Sequence, residues 1–289
     1  MSEVELDLIG KSARILFHPN CGTRCLIDLP QLERLGGILD ELAGRSDLER
    51  VILGTARADM VLSGPPPERF AEFADAQEAS SYAADGQRVL ARLAALGPTT
   101  IAFLSGHVLS GGLELALACD LRLASGRPGL RFGFSDALIG LSPAWGGTLR
   151  LTRLLGPTLA LEMLTRSIAA DAARASAWGL VDGVAGEDEL LEVAERLGSP
   201  RSQSWPPIDR LARVLPPLRR LVFDRAAKRA ACGGLGAPPE LAGRLVRLVE
   251  LALIWSPDEV LAQEARAFAE GIHSREARTV REAFLAHPS

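Results

Sequence analysis

The chain has a single tyrosine, and aromatics make up only 5% of its 289 residues, which leaves little from which to build a stacking platform for bases or sugars. Basic residues are not in excess. Thirty-two Lys and Arg stand against 36 Asp and Glu, a net charge of -4, so there is no electrostatic footprint for nucleic acid or an anionic membrane surface. Four cysteines, at 21, 25, 119 and 232, are too few for a disulfide framework at this length and fit a reducing, cytoplasmic setting. Cys21 and Cys25 have no second Cys/His pair at ligand spacing, so no metal is expected and both read as small core residues. No stretch reaches the roughly 18 uninterrupted apolar residues of a membrane span. Met1 to Gly10 carries three acids and no apolar leader segment, so neither insertion nor secretion is expected. What is present is ordinary for a folded protein: 47% apolar and 24% charged residues, in a length that reads as one large domain or two small ones.

Val4, Leu6 and Leu8 alternate with Glu5 and Asp7, and Ala13 to His18 continues in the same manner, which predicts two half-buried strands in an opening hairpin. Leu32, Leu35, Ile38, Leu39 and Leu42 recur at helical spacing after Pro30, and Val51 to Gly54 reads as a short buried strand. Three prolines at 65–67 break the chain before a helical stretch over Phe70 to Leu96, and Thr99 to Leu104 is another strand. A glycine corner at Leu109 to Glu114 opens an apolar helix through Cys119, followed by strands at Leu121 to Ala124 and Leu130 to Phe134. Asp136 to Gly140 reads as a loop or helical turn, and Gly146-Gly147 is a second corner before a helix at Leu149 to Leu155. From Glu187 onward the pattern is helical, interrupted at Ser199-Pro200, Pro206-Pro207, Pro216-Pro217 and Pro238-Pro239. This divides the chain into a core domain over 1–198 and a helical region over 199–289.

Gly111 and Gly112 lie where a strand feeds a helix. Without side chains they admit a ligand to backbone N–H groups at the positive end of the helix dipole, although a tight turn or close packing also calls for glycine. Glu114, two residues on, is the one carboxylate among Leu113, Leu115, Ala116, Leu117 and Ala118. It reads equally as a first-turn acid complementing the dipole or as a catalytic group. Asp136 follows a short strand. A pair of carboxyls near a thioester oxyanion hole divides the acid and base work of adding water across a double bond. The alternative for Asp136, preceded by Ser135, is an N-cap of the next turn. Trp145, beside Pro143 and Gly146, either walls a pocket or fills core volume.

Ile101-Ala102-Phe103-Leu104-Ser105-Gly106-His107 with Leu109-Ser110-Gly111-Gly112-Leu113-Glu114-Leu115-Ala116-Leu117-Ala118-Cys119-Asp120 resembles the signature of the crotonase (enoyl-CoA hydratase/isomerase) superfamily. The likeness continues, in the family's order, through Phe132 to Asp136, Ile139 to Pro143, Gly146 to Leu151 and Gly179 to Asp182. Arg219 to Phe223, Gly236 to Pro239, Glu264 to Phe268 and Ala283 to Leu285 further resemble the region after the hydratase half of multifunctional fatty-acid oxidation α-subunits. No G-x-G-x-x-G follows a strand, so the dehydrogenase half of such a subunit is not expected here. The resemblance implies an α/β fold, a crotonase-like spiral of ββα units with a helical C-terminal region. It implies an acyl-CoA substrate, no cofactor beyond the coenzyme A that substrate carries, assembly as a trimer or hexamer, and a separate dehydrogenase or thiolase as partner.

By motif position the resemblance makes Gly111 one oxyanion donor and Glu114 the first glutamate, with Asp136 at the second glutamate's place. The other donor falls in the loop after Val51 to Leu53, which reads Ser63-Gly64-Pro65, so Gly64 takes that role. Four departures bear on chemistry. Aspartate at 136 shortens the reach by about 1.5 Å, and misplacement on that scale costs about a hundredfold in rate. Pro65-Pro66-Pro67 supplies no N–H where the family holds the adenine end of CoA. The turn from Ser125 to Gly129 is two residues longer than the family's. Ala144-Trp145 replaces a small pair, and the indole narrows an acyl pocket. Hydration of a trans-2-enoyl-CoA is therefore the first expectation, with a Δ3-Δ2-enoyl-CoA isomerase and a non-catalytic acyl-CoA binder as alternatives.

Overall fold

The alternation near the amino terminus has the expected outcome: β1 (Val4–Ile9) and β2 (Ser12–Phe17) pair antiparallel, Val4 opposite Phe17 and Ile9 opposite Ser12. Gly10, at φ +57°, supplies the left-handed turn residue that a tight hairpin demands. The computed structural model describes residues 3–186, 188–189, 192–193, 205–232 and 237–286. They form two units, Met1–Pro65 with Asp85–Phe132 and Ala170–Ser202, and Pro66–Ala84 with Gly133–Ala169 and Gln203–Ser289. The expected boundary between 198 and 199, the break at Ser199-Pro200 and Gly236 lie outside the described residues.

After β2 the chain repeats one pattern of two strands and a helix. β3 (Arg24–Leu26) leads to α1 (Leu29–Ala43); β4 (Arg50–Thr55) and β5 (Val61–Ser63) lead to α2 (Ala76–Ala94). β6 (Thr99–Leu104) and β7 (His107–Leu109) lead to α3 (Gly111–Leu117), and β8 (Leu121–Ala124) starts the next turn. The first strand of each pair joins one parallel ladder, β2 to β4 to β6 to β8, and the second strands β3, β5 and β7 join another. Parallel neighbours require a crossover, which the helices provide. α1 starts where a capping box forms, Asp28 accepting from the Leu29 N–H at 2.8 Å while Gln31 reaches back to the Asp28 N–H at 2.9 Å. The helical stretch expected over Phe70 to Leu96 is split: a 3-10 turn at Pro67–Ala71 follows the prolines, and α2 begins only at Ala76.

Two-residue strands β9 (Phe132–Gly133) and β10 (Ala169–Ala170) lie where the chain passes between units. The strand expected over Leu130 to Phe134 shrinks to β9. In the first unit, after α6 (Ala172–Trp178), β11 (Gly183–Val184) closes the larger sheet beside β8. Ile52, Ile101, Leu121 and Leu123 are buried together there, with Phe103 packed on them. Arg122 and Asp182 cross this unit as a sealed ion pair, Nη2 to Oδ2 at 2.7 Å with both side chains 4% exposed.

The second unit contains α4 (Gly147–Leu155) and α5 (Pro157–Arg166). Its C-terminal helices are α7 (Pro207–Val214), α8 (Pro216–Ala231), α9 (Pro239–Ile254), α10 (Pro257–Ile272) and α11 (Arg275–Ala286). Pro207, Pro216 and Pro239, expected as interruptions, are helix starts rather than breaks. At the first turn the missing N–H is not needed and the fixed φ already suits a helix. Leu149, Leu251, Ala252 and Val260 knit α4, α9 and α10 into one core. Among the described residues no helix is long and apolar enough to cross a membrane.

Candidate active site

The β5–β7 register sets the centre of the site. Leu62 lies opposite Val108, so continuing both strands brings Gly64, one residue past β5, beside the corner that ends β7. A Cβ added to Gly64 would stand 3.3 Å from the Gly111 nitrogen and 3.6 Å from its Cα. The two glycines expected to donate to an oxyanion are thus neighbours, both buried. Gly111 opens α3 and its N–H has no preceding helical turn to accept it.

Gly112 has a different reason to be glycine. A Cβ there would fall 2.3 Å from the Leu62 carbonyl oxygen, so its absence lets α3 press onto β5. The two glycines therefore differ: Gly111 opens the helix beside Gly64, and Gly112 permits close packing. Ser110, just before it, sits at φ 48° and ψ -121°, a conformation that strains a residue with a Cβ and that recurs at functional sites. Its carbonyl accepts the Leu113 and Glu114 N–H groups at 2.8 and 2.9 Å, which directs the first turn of α3. Glu114 is only 3% exposed, in a helix buried along its whole length. Gly64, Gly111 and Glu114 all belong to the first unit.

Asp136 and Trp145 belong to the second unit. Asp136 is the first residue of a 3-10 turn over Asp136–Ile139 and is half-buried. Ser135 occupies the N-cap place without a side-chain cap bond, so Asp136 is not the cap that its alternative reading required. Its carbonyl accepts the Leu141 N–H at 2.9 Å, and Gly140, at φ 75°, ends the turn. Trp145 is 2% exposed, its ring 5.8 Å from that of Tyr82, which stacks in turn on Phe268 at 6.1 Å.

One group that pattern reading used only as part of a tail motif has a definite place. Glu264 of α10 is fully buried and accepts the Gly146 N–H at 2.5 Å and the Thr148 N–H at 2.9 Å. Burial pushes its pKa up to about 7, against the lowering effect of those N–H bonds, the Thr148 hydroxyl and the Arg150 guanidinium. The signal was a lone acid on the apolar face of Val260, Ala265 and Phe268. Because the folded pKa lies above the ordinary 4.5, the folded state keeps a proton that the unfolded chain has released. Stability therefore falls as pH rises from about 4.5 to about 7, by on the order of 3 kcal/mol. Urea melts across that window should show this slope, and Glu264→Gln should flatten it.

Cys25 is buried and its thiol is pushed up to about 12 by burial, whereas Cys21 is exposed. Among the described residues no group of three or more His, Cys, Asp or Glu is placed to hold a metal ion.

Strand pairs that feed two parallel ladders, each followed by a helix, define an α/β spiral of ββα units with a helical C-terminal region. Residues 45–202 match the family model for enoyl-CoA hydratase/isomerase. This chain belongs to that family, the crotonase superfamily. Solved structures agree in fold. An enoyl-CoA hydratase from Bacillus halodurans is similar at 18% identity and a TM-score of 0.70, over 98% of this chain and 100% of that one. One from Mycobacterium avium subsp. paratuberculosis K-10 is similar at 18% identity and 0.65, over 98% of each. An enoyl-CoA hydratase/carnithine racemase from Magnetospirillum magneticum reaches 27% identity and 0.62, over 68% of this chain and 75% of that one.

Proposed function

We propose that this chain hydrates trans-2-enoyl-CoA thioesters, and the observation that carries the reading is the approach of Gly64 to Gly111 beside buried Glu114. The thioester oxygen accepts the Gly64 and Gly111 N–H groups. As water oxygen bonds to C3, the π pair of the C2–C3 double bond shifts to between C2 and the carbonyl carbon and the carbonyl π pair moves onto the thioester oxygen, giving an enolate that the two donors stabilise. Glu114 takes a proton from water, Asp136 in its protonated form gives one to C2 as the enolate collapses, and exchange with solvent returns the proton held by Glu114 to Asp136. Trp145 limits the acyl pocket. CoA arrives with the substrate, and no other cofactor enters the scheme. The family resemblance extends the proposal to a cytoplasmic trimer or hexamer that works with a separate dehydrogenase or thiolase.

Loss of the conjugated enoyl-thioester absorbance with crotonyl-CoA and with a longer 2-enoyl-CoA tests the reading directly. Wild type should consume at least one. Gly64→Ala should lower kcat by about a hundredfold, because its Cβ would cover the Gly111 N–H, while its melting temperature moves little. A wild type that binds both thioesters and leaves them unchanged rejects the hydratase. Conversion of a 3-enoyl-CoA would then assign an isomerase, for which the short Asp136 is tolerable since one carboxylate can shuttle the proton. Binding without any turnover would assign a thioester binder.

A further inference from the structure

The geometry points to Glu264 as a positioning residue that fixes the Trp145 corner and through it sets acyl-chain selectivity; the selectivity rests on the function proposed above. The peptide between Trp145 and Gly146 is held at both ends. Arg150 Nη1 donates to the Trp145 carbonyl at 2.7 Å, and the Gly146 N–H donates to Glu264 Oε1 at 2.5 Å. With its plane fixed, the Cα from which the Trp145 side chain leaves the backbone is fixed too. Gly146 stands at φ 99°, and a Cβ there would lie 2.2 Å from Arg150 Nη1 and 3.0 Å from Leu261 Cδ2. A side chain at this N-cap would have to displace the Arg150 guanidinium and adopt a left-handed backbone that L residues rarely take.

A local side chain would serve helix stability as well. Ser, Thr, Asp or Asn at the N-cap usually satisfies the first N–H groups of a helix, and Asp28 and Ser256 do this for α1 and α10. At α4 the N-cap is glycine and the carboxylate comes from α10, 118 residues further along the chain. A remote cap adds what a local one does not: it ties the corner's position to another helix. The ring is addressed from that helix as well. Phe268 stacks on Tyr82, Tyr82 lies against Trp145, and Phe268 follows Glu264 by four residues, hence on the same face of α10. One helix face thus sets both the backbone and the ring of Trp145.

The test uses the full chain carrying 5-fluorotryptophan, whose four tryptophans give four 19F resonances, Trp145 being identified by Trp145→Phe. Glu264→Gln should shift or broaden the Trp145 resonance alone. It should also change the ratio of kcat/KM for a C4 against a C10 2-enoyl-CoA by about tenfold. Little further change should follow when it is added to Trp145→Phe, because both act through one pocket wall. Glu264→Asp, which keeps a carboxyl with less reach, should fall between and serves if the amide variant does not fold. Ser256→Ala removes the cap of the same helix and should leave resonance and ratio as in wild type. An active wild type whose Trp145 resonance and chain-length ratio survive Glu264→Gln, with only stability lowered, overturns the inference and leaves the hydratase standing. A wild type that processes no enoyl-CoA rejects the hydratase and the selectivity role with it, while the 19F signal still decides whether Glu264 holds the corner.

Discussion

Glu114→Gln is expected to lower enoyl-CoA hydration by about 10²- to 10⁴-fold, the usual range for a positioned general acid or base, with thermal unfolding close to that of wild type. Its position licenses the asymmetry. The carboxylate lies in the first turn of α3 and is almost wholly buried, and glutamine keeps its shape and hydrogen-bonding reach. The favourable effect of an acid near a helix N-terminus is about 0.3–1 kcal/mol, so a purely electrostatic helix role predicts a small stability loss and no rate effect. Crotonyl-CoA turnover and differential scanning calorimetry on the same preparation separate the two. Unchanged turnover would return Glu114 to the role of first-turn acid. A thousandfold loss at unchanged melting temperature would assign it to chemistry.

The second large effect is on stability. Asp182→Ala should destabilise the fold by about 3–5 kcal/mol, the cost of leaving one member of a buried ion pair without the other. Asp182 Oδ2 accepts both the Arg122 side chain at 2.7 Å and the Arg122 backbone N–H at 2.9 Å. The guanidinium keeps its bonds to the Leu180 and Cys119 carbonyls, but those are neutral acceptors in a place closed to water. The pair ties β8 to the segment leading into β11, so its loss should loosen that edge of the larger sheet. Urea denaturation gives the magnitude. A loss below about 1 kcal/mol would mean that water reaches Arg122 and takes over the aspartate's role, as it does for exposed pairs.

Much of the architecture was legible in advance because it rests on short-range physics. The period-two alternation of Val4 to Leu8, the helical spacing of Leu32 to Leu42 and the apolar run of Thr99 to Leu104 each specify an element within a few residues of themselves. Punctuation was harder. The proline pairs at 206–207, 216–217 and 238–239 read as interruptions, yet Pro207, Pro216 and Pro239 open helices, since the same residue breaks a helix interior and suits its first turn. β3, β7 and β10, two or three residues each, carry too little periodicity to register.

The order of motifs from Ile101 to Asp182 carries the resemblance to the family within the sequence itself, since each segment falls in the family's order along the chain. Composition likewise excluded a nucleic-acid binder and a disulfide scaffold. Tertiary structure alone decided which groups meet. Gly64 and Gly111 are 47 residues apart and become neighbours through the β5–β7 register. Arg122 finds Asp182 across 60 residues, and Glu264 finds Gly146 across 118. Local propensity carries no information on such pairs: hydrogen-bond register and burial are properties of the assembled chain, and only packing converts a distant carboxylate into a helix cap or a counter-ion.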